Sequence, residues 1–182
     1  PMDAIVVIGG CDKTLPAQIM AAVSADLPTV VIPVGPMVVG HHKGEVLGAC
    51  TDCRRMWGKF RAGEIDQAEI EAVNGRLAPS VGTCMVMGTA STMTSIAESI
   101  GMTLPGAASI PATDANHPRM AAASGRRIVD MVWEDLKPGD ILQHQSFINA
   151  IAAAMAMGCS TNAIIHLVAM ARRAGHNIGL DD

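Results

Sequence analysis

Two short apolar runs near the start of the chain flank a stretch of helical periodicity. Ala4 to Ile8 is continuously apolar and stops at Gly9-Gly10, as a buried strand does. A helix is predicted over 15–25, and Leu27-Pro28 separates it from a second apolar run, Thr29 to Val34. Strand, helix and strand in this order predict a β-α-β unit with parallel pairing and a right-handed crossover.

The remainder of the chain is dominated by helical patterns. Residues 36–58 have no clear period and are predicted to form a long functional loop. An exposed helix is predicted from Gly63-Glu64 to about Leu77, and an extended segment over 103–113. Further helices are predicted over 85–100, 117–136, 144–157 and 161–174. The predicted fold class is α/β, a three-layer α/β/α sandwich with a mostly parallel sheet.

The composition narrows the class of protein. Apolar residues make up 49% of the 182 residues and charged residues 16%, which is typical of one well-buried globular domain. A net charge of −4 and the lack of a basic stripe with aromatics argue against nucleic-acid binding. Asn162 and His166 are among the polar residues that interrupt the apolar stretch Ala150 to Met170, which argues against a transmembrane span.

The cysteines indicate the compartment. There are five, namely Cys11, Cys50, Cys53, Cys84 and Cys159. An odd count is unlike a secreted disulfide scaffold, so we expect a reducing cytoplasm with thiols free for metal binding or catalysis.

Cys11-Asp12-Lys13-Thr14 lies at the predicted strand-to-helix turn, where open α/β sheets bind ligands. The helix dipole there favours anions and lowers the pKa of a thiol. Cys11 is therefore a candidate ligand for a soft metal and Asp12 for a hard one. The alternative is a small buried cysteine followed by a helix cap. A nucleotide phosphate loop is excluded, because Val7 and Asp12 stand where that motif requires glycine.

Cys50-x-x-Cys53 is a second candidate. Such a pair could hold half of a zinc site or act as a redox pair. His41 and His42 lie nearby, but the sequence offers no second pair at a usual spacing. The competing interpretation is that Cys50 and Cys53 are simply two free thiols in a loop, without a metal or a redox role.

Two further segments are rich in small polar residues. The segment from Gly82 to Met93 surrounds Cys84 with residues that would let a backbone approach a prosthetic group closely, or simply pack helices closely. In the segment Gly158 to Asn162, Ser160 is predicted to be the N-cap of the following helix.

Together these motifs resemble the dihydroxy-acid and phosphogluconate dehydratase family along nearly the whole chain. The first motif is Gly10-Cys11-Asp12-Lys13-Thr14-x-Pro16-Ala17, and the second is Gly82-Thr83-Cys84-x-x-Met87-Gly88-Thr89-Ala90-Ser91-Thr92-Met93. Gly35-Pro36-Met37 and Ser160-Thr161-Asn162-Ala163 also fit. The sequence Gly-Thr-Ala-Ser-Thr-Met at 88–93 is more similar to the sugar-acid branch of the family, the arabinonate and xylonate dehydratases.

The resemblance implies a cofactor set. It implies a [2Fe-2S] cluster with Cys11 and Cys84 as two of its three cysteine ligands, and Mg²⁺ bound by Asp12 and by Lys13 as a carbamate. In the family the third cysteine and an acidic magnesium ligand lie upstream, and the catalytic base is a serine in a C-terminal domain. We therefore expect residues 1–182 to be a single α/β cluster-binding and magnesium-binding domain, incomplete at both ends and without a catalytic base of its own.

The implied activity is a hydro-lyase that converts an aldonic acid to a 2-keto-3-deoxy acid. One alternative is the dihydroxy-acid dehydratase of branched-chain amino-acid synthesis. Another is a non-enzymatic metal-binding module that uses Cys50 and Cys53. The expected partners are a small sugar acid and, in the full-length protein, one or three further copies as a homodimer or homotetramer.

Overall fold

The computed structural model describes residues 2–182. The strands are β1 (Ile5–Gly9), β2 (Thr29–Pro33), β3 (Gly40–His42) and β4 (Glu45–Leu47). The helices are α1 (Thr14–Ala25), α2 (Ala49–Arg61), α3 (Gln67–Leu77), α4 (Thr89–Ser99), α5 (Asn116–Glu134), α6 (Pro138–Ile141), α7 (His144–Ala156) and α8 (Asn162–Arg173). A 3₁₀ turn spans Ala107–Ser109.

The predicted β-α-β unit is confirmed. β1 and β2 pair in parallel, in a register that runs from Ile5 opposite Thr29 to Gly9 opposite Pro33. Parallel strands need a crossover between them, and α1 supplies it. The carboxyl ends of both strands therefore lie at one edge, next to the start of α1.

Helices cover both faces of β2, whose five residues are all buried. On one face Val31 packs with Leu15 of α1 in the main core. On the other face Val30 packs with Ile128 of α5, and Ile32 with Met120. The fold class α/β is confirmed, with a short parallel sheet between two helical layers.

The main core joins α1, α4, α7 and α8. Its largest fully buried side chains include Phe147, Leu15, Ile19, Met93 and Met170. Burying each such side chain contributes about 1.5–3 kcal/mol. This core holds α4 and α8 against α1, and so fixes the ends of these helices relative to the β1–α1 turn.

The prediction of a long loop over 36–58 is wrong. β3 and β4 form an antiparallel hairpin, whose turn residues Lys43 and Gly44 have positive φ values of 48° and 85°. Two positive φ values are typical of tight hairpin turns. The helix α2 follows, and its Met56 packs in a separate small core with Ile70 of α3. Helix formation here is decided by this packing, which a polar sequence does not reveal.

Other boundaries differ in detail. The α3 helix starts at Gln67, where Asp66 caps it by accepting from the Glu69 N–H at 2.9 Å. Its buried residues Ile70, Val73 and Leu77 pack in the small core with α2, and the rest of the helix is largely exposed, as predicted. The α4 helix starts at Thr89 and not at residue 85, but Gly101 follows its C-terminus as predicted, with a φ of 86°.

The remaining predicted helices are confirmed within a few residues as α5, α7 and α8. The extended segment 103–113 contains the 3₁₀ turn, and Pro138 begins the short α6. Among residues 2–182, no helix combines the length and apolar character that crossing a bilayer requires.

Candidate cluster and metal site

The β1–α1 turn presents Cys11, Asp12 and Lys13 at the carboxyl edge of the sheet. Cys11 is exposed, and the side chains of Asp12 and Lys13 are 36% and 65% exposed. Gln18 of α1 fixes the turn from behind, because its Nε2 donates to the Ile8 carbonyl at 2.9 Å. The alternative of a small buried Cys11 is therefore excluded.

Asp12 is an ionised carboxylate with a cation beside it. Lys13 Nζ donates to Asp12 Oδ2 at 2.7 Å, and the Cys11 thiol lies 3.5 Å from Oδ1. The hydrogen bond from Lys13 is the main reason that the pKa of Asp12 lies below its ordinary value, and partial burial opposes it. Lys13, and not Asp12, occupies the N-cap position of α1. Asp12 is thus free of a capping role.

The segment that carries Cys84 adds onto the end of β2. The Thr83 N–H donates to the Gly35 carbonyl at 2.9 Å, and the Met37 N–H donates to the Thr83 carbonyl at 2.9 Å. Gly82 has a φ of 121°, and a Cβ placed there would lie 2.5 Å from the backbone nitrogen of Met37. Only glycine fits this position, so Gly82 permits the close approach that places Cys84.

The two cysteine motifs meet through Gly10 and Thr83. A Cβ placed on Gly10 would come within 2.6 Å of the Thr83 Cγ2 atom, so the two residues touch. Cys11 and Cys84 are the next residues after this contact. Cys11 is exposed and Cys84 is half-buried, and neither forms a disulfide. The structure therefore brings together the two segments that the sequence analysis singled out.

The start of α8 lies against the start of α4. The hydroxyls of Thr89 and Ser160 are 2.8 Å apart, and the Ser160 N–H donates to Thr92 Oγ1 at 3.2 Å. The prediction that Ser160 is the N-cap is wrong by one residue, because Thr161 occupies that position. Ser160 Oγ nevertheless accepts from the Asn162 N–H at 3.3 Å, so it satisfies an amide of the first turn.

The sequence analysis missed one residue of this region, His166 of α8. Its Nε2 atom is buried and has no hydrogen-bond partner among residues 2–182. Burial lowers the pKa of His166, the charge of Lys13 lowers it further and Asp12 acts in the opposite direction. The sequence signal that could have pointed to His166 is that it is the one ionisable residue within the apolar run from Ala163 to Met170.

Cys50 and Cys53 belong to the first turns of α2, and Gly48, just before this helix, approaches Val86 of the second motif. Cys50 is exposed, and Cys53 is half-buried in the small core. The nearby His42 has both ring nitrogens engaged, since Nε2 lies 3.2 Å from Glu69 Oε1 and Nδ1 lies 3.2 Å from Arg76. Arginine can only donate, so Nδ1 accepts and the Nε2 proton faces Glu69. No nitrogen of His42 is left for a metal.

The donors of the Cys11 region suit iron and magnesium in different ways. Thiolates such as Cys11 and Cys84 are ligands of iron–sulfur clusters, and the Asp12 carboxylate suits hard Mg²⁺. The ammonium of Lys13 competes with a cation for Asp12 in its present state. Within the described part of the chain no three His, Cys, Asp or Glu side chains form a ready metal site. The residues of this region therefore supply part, and not all, of a ligand set for an iron–sulfur cluster and for Mg²⁺.

The comparisons with known proteins agree with these motifs. Residues 1–182 match the Dihydroxy-acid/6-phosphogluconate dehydratase N-terminal family. The chain is 50% identical over 181 residues to a 6-deoxy-6-sulfo-D-gluconate dehydratase of Pseudomonas putida, covering 100% of the chain and 31% of that relative. It is 49% identical over 182 residues to the D-xylonate dehydratase of Caulobacter vibrioides, covering 100% and 31%.

A more distant relative belongs to the other branch. The chain is 40% identical over 179 residues to the dihydroxy-acid dehydratase of Halothermothrix orenii, covering 98% of the chain and 32% of the relative. The chain thus spans about a third of the length of the curated relatives it matches. With its full length matched and both motifs in place, the chain belongs to the dihydroxy-acid/6-phosphogluconate dehydratase N-terminal family.

Proposed function

We propose that the protein is a hydro-lyase that dehydrates an aldonic acid to a 2-keto-3-deoxy acid. The observation that carries the proposal is the contact of Gly10 with Thr83, which brings the Cys11 turn and the Cys84 segment to one place. The names of the relatives support the substrate class. Those that are 49–50% identical are named for D-xylonate and 6-deoxy-6-sulfo-D-gluconate, whereas the dihydroxy-acid dehydratase is 40% identical.

The residues of this chain would hold two groups. Cys11 and Cys84 would bind a [2Fe-2S] cluster, and Asp12 and a carbamylated Lys13 would bind Mg²⁺. When bound, these groups supply a Lewis acid for the leaving hydroxyl and a cation for the substrate carboxylate.

The protein groups prepare this chemistry. The N-terminus of α1 favours anionic groups, and the Asp12 carboxylate lies there. As long as Lys13 is an ammonium, its hydrogen bond lowers the pKa of the Asp12 carboxyl group. Carbamylation would convert Lys13 from a competing cation into an anionic oxygen ligand, which removes the conflict at Asp12.

The remaining parts of the proposal concern the whole protein. We place residues 1–182 in a single cluster-binding domain, with a serine base supplied by a further domain and a homodimer or homotetramer as the assembly. The base would remove the C2 proton, and the enol left after loss of water would become the keto acid. All five cysteines are free, which supports a reducing cytoplasmic location.

Two alternatives to the sugar-acid dehydratase have weaker support. A dihydroxy-acid dehydratase is supported by a relative of that name, at 40% identity instead of 49–50%. The non-enzymatic module that uses Cys50 and Cys53 is disfavoured, because His42 is occupied by Glu69 and Arg76.

The test is anaerobic purification of the full-length protein, followed by measurement of iron, acid-labile sulfide, magnesium and zinc. We expect about two iron and two sulfide per chain. The same preparation is then assayed with pentonates, hexonates, 6-deoxy-6-sulfo-D-gluconate and a branched dihydroxy acid. Turnover of the branched acid alone would favour the first alternative, and zinc without sulfide would contradict the proposal.

A further inference from the structure

His166 carries a buried ring nitrogen that no group among residues 2–182 engages. Buried polar atoms ordinarily have a hydrogen-bond partner, so an exception calls for an explanation. Ala163 and Leu167, which lie on either side of His166 along α8, are packed in the main core. The helix therefore holds the imidazole in place with one hydrogen-bonding atom unused.

The direction of α8 places this ring beside the start of α1. The two helices pack together, and near their C-terminal ends Arg173 Nε donates to Ser24 Oγ at 2.8 Å. Lys13 and Asp12, which precede α1, act on His166, which precedes Arg173 on α8, so the two helices run in the same direction. Counting back seven residues from the contact of Arg173 with Ser24 places His166 near Ala17, about one turn beyond Lys13. Because helical side chains lean toward the N-terminus of their own helix, the imidazole points back toward the level of Lys13.

The charges of Lys13 and Asp12 act on the pKa of the His166 ring in opposite directions, Lys13 lowering it and Asp12 raising it. A neutral imidazole has one N–H and one lone pair. The Lys13 ammonium has three N–H donors, of which one is given to Asp12 Oδ2 at 2.7 Å, and none of them is bonded to Nε2. An N–H on Nε2 needs an acceptor, which an ammonium cannot provide, and Nε2 makes no hydrogen bond to the Asp12 carboxylate either.

We propose that His166 is a positioning residue that donates from Nε2 to the carboxylate that Lys13 gains as a carbamate. The inference rests on the proposed function, in which Lys13 takes up carbon dioxide. In that step the ammonium releases two protons, and the nitrogen lone pair forms the N–C bond with carbon dioxide. The product is an anionic carboxylate on the nitrogen, with no oxidation or reduction. Besides binding the metal cation, this carboxylate can accept an N–H, and His166 Nε2 has no other partner among residues 2–182.

The test measures carbamate formation in the full-length protein. Samples with Mg²⁺ are titrated with ¹³C-labelled bicarbonate, and ¹³C NMR gives the half-saturating concentration of carbon dioxide for the carbamate signal. Hydrogen bonds to charged groups are strong, so we expect His166→Leu to raise this concentration at least about tenfold. His166→Gln keeps an N–H donor and is expected to stay within about threefold of the wild type.

His176→Leu is the matched control. Its ring Nε2 lies 2.7 Å from the Leu142 carbonyl oxygen, so this variant is expected to lower the melting temperature without changing the dependence on carbon dioxide. Thermal melting checks the folding of each variant. His166→Asn, whose amide nitrogen corresponds in position to Nδ1 of histidine and not to Nε2, replaces His166→Leu if the latter does not fold, and the same rise of about tenfold is expected.

Two results would overturn the inference. One is an unchanged half-saturating concentration in a folded variant that lacks the donor. The other is a wild-type protein without a carbamate signal that depends on Lys13, judged against Lys13→Arg. Iron, sulfide and sugar-acid turnover are measured on the same preparation, so the proposed dehydratase function can stand even where the inference about His166 fails.

Discussion

At the residue scale, the two candidate pairs of cysteine ligands, Cys11 with Cys84 and Cys50 with Cys53, differ in their surroundings. Cys84 follows Thr83, which touches Gly10 beside Cys11, whereas Cys50 is an exposed residue of α2. We expect Cys84→Ser to abolish the iron and sulfide content of the full-length protein and Cys50→Ser to leave both intact. Iron and acid-labile sulfide analysis of the two variants is the measurement, and the reverse pattern would contradict the site.

Also at this scale, Glu69 gives the small core a pH dependence. Hydrogen bonds from Lys43 first and His42 second lower the pKa of Glu69 in the folded protein. A lowered folded pKa contributes stability that is present above the unfolded pKa, about 4.5, and is lost as the pH falls through the folded pKa. We expect Glu69→Gln to be less stable than the wild type at pH 7, with the difference shrinking in acid. Urea unfolding from about pH 7 to pH 3 measures this, and a pH-independent difference would refute it.

At the element scale, the segment after Gly82 depends on one glycine. An alanine at position 82 would have an unfavourable φ of 121°, and its Cβ would lie 2.5 Å from the Met37 backbone nitrogen. We expect Gly82→Ala to cost about 2–4 kcal/mol in the free energy of unfolding, from backbone strain plus overpacking. Gly106 also has a positive φ but nothing within 4 Å of a Cβ, so Gly106→Ala should cost only about 1–2 kcal/mol. Urea denaturation compares them, and equal losses would mean that the contact with Met37 is unimportant.

The sequence pattern predicted some elements and missed others for physical reasons. β2 was predictable because continuous apolar runs mark strands that are buried on both faces. β1 has the same pattern and is a strand, but the prediction that it is buried is wrong for Val6 and Ile8, which are exposed. The hairpin β3–β4 was missed because its turn is Lys43-Gly44, where Asn-Gly is the usual signal. The unpartnered nitrogen of His166 could not be predicted from the sequence, because its burial depends on how α8 packs in the folded protein.

At the scale of the whole molecule, the chain offers a partial ligand set. Within residues 2–182 no three candidate metal ligands come together, and the relatives are about three times longer than this chain, which covers 31% of the first of them. We expect the isolated 182-residue chain to show no turnover of any sugar acid under anaerobic conditions with iron, sulfide and Mg²⁺. The full-length protein, assayed alongside, is the positive control. Measurable turnover by the isolated chain would overturn the assignment of the base to a further domain.

The contact between Gly10 and Thr83 has a consequence for how a protein that has lost its cluster can be repaired. It consists of carbon and backbone contacts, supported by the hydrogen bonds of Thr83 with Gly35 and Met37. The cysteine sulfurs take no part in it, so we expect the segments that present them to fold without iron. In the proposed enzyme, oxygen that destroys the cluster would then leave these segments in place. We expect fresh iron and sulfide to restore such damaged protein without new synthesis of the polypeptide.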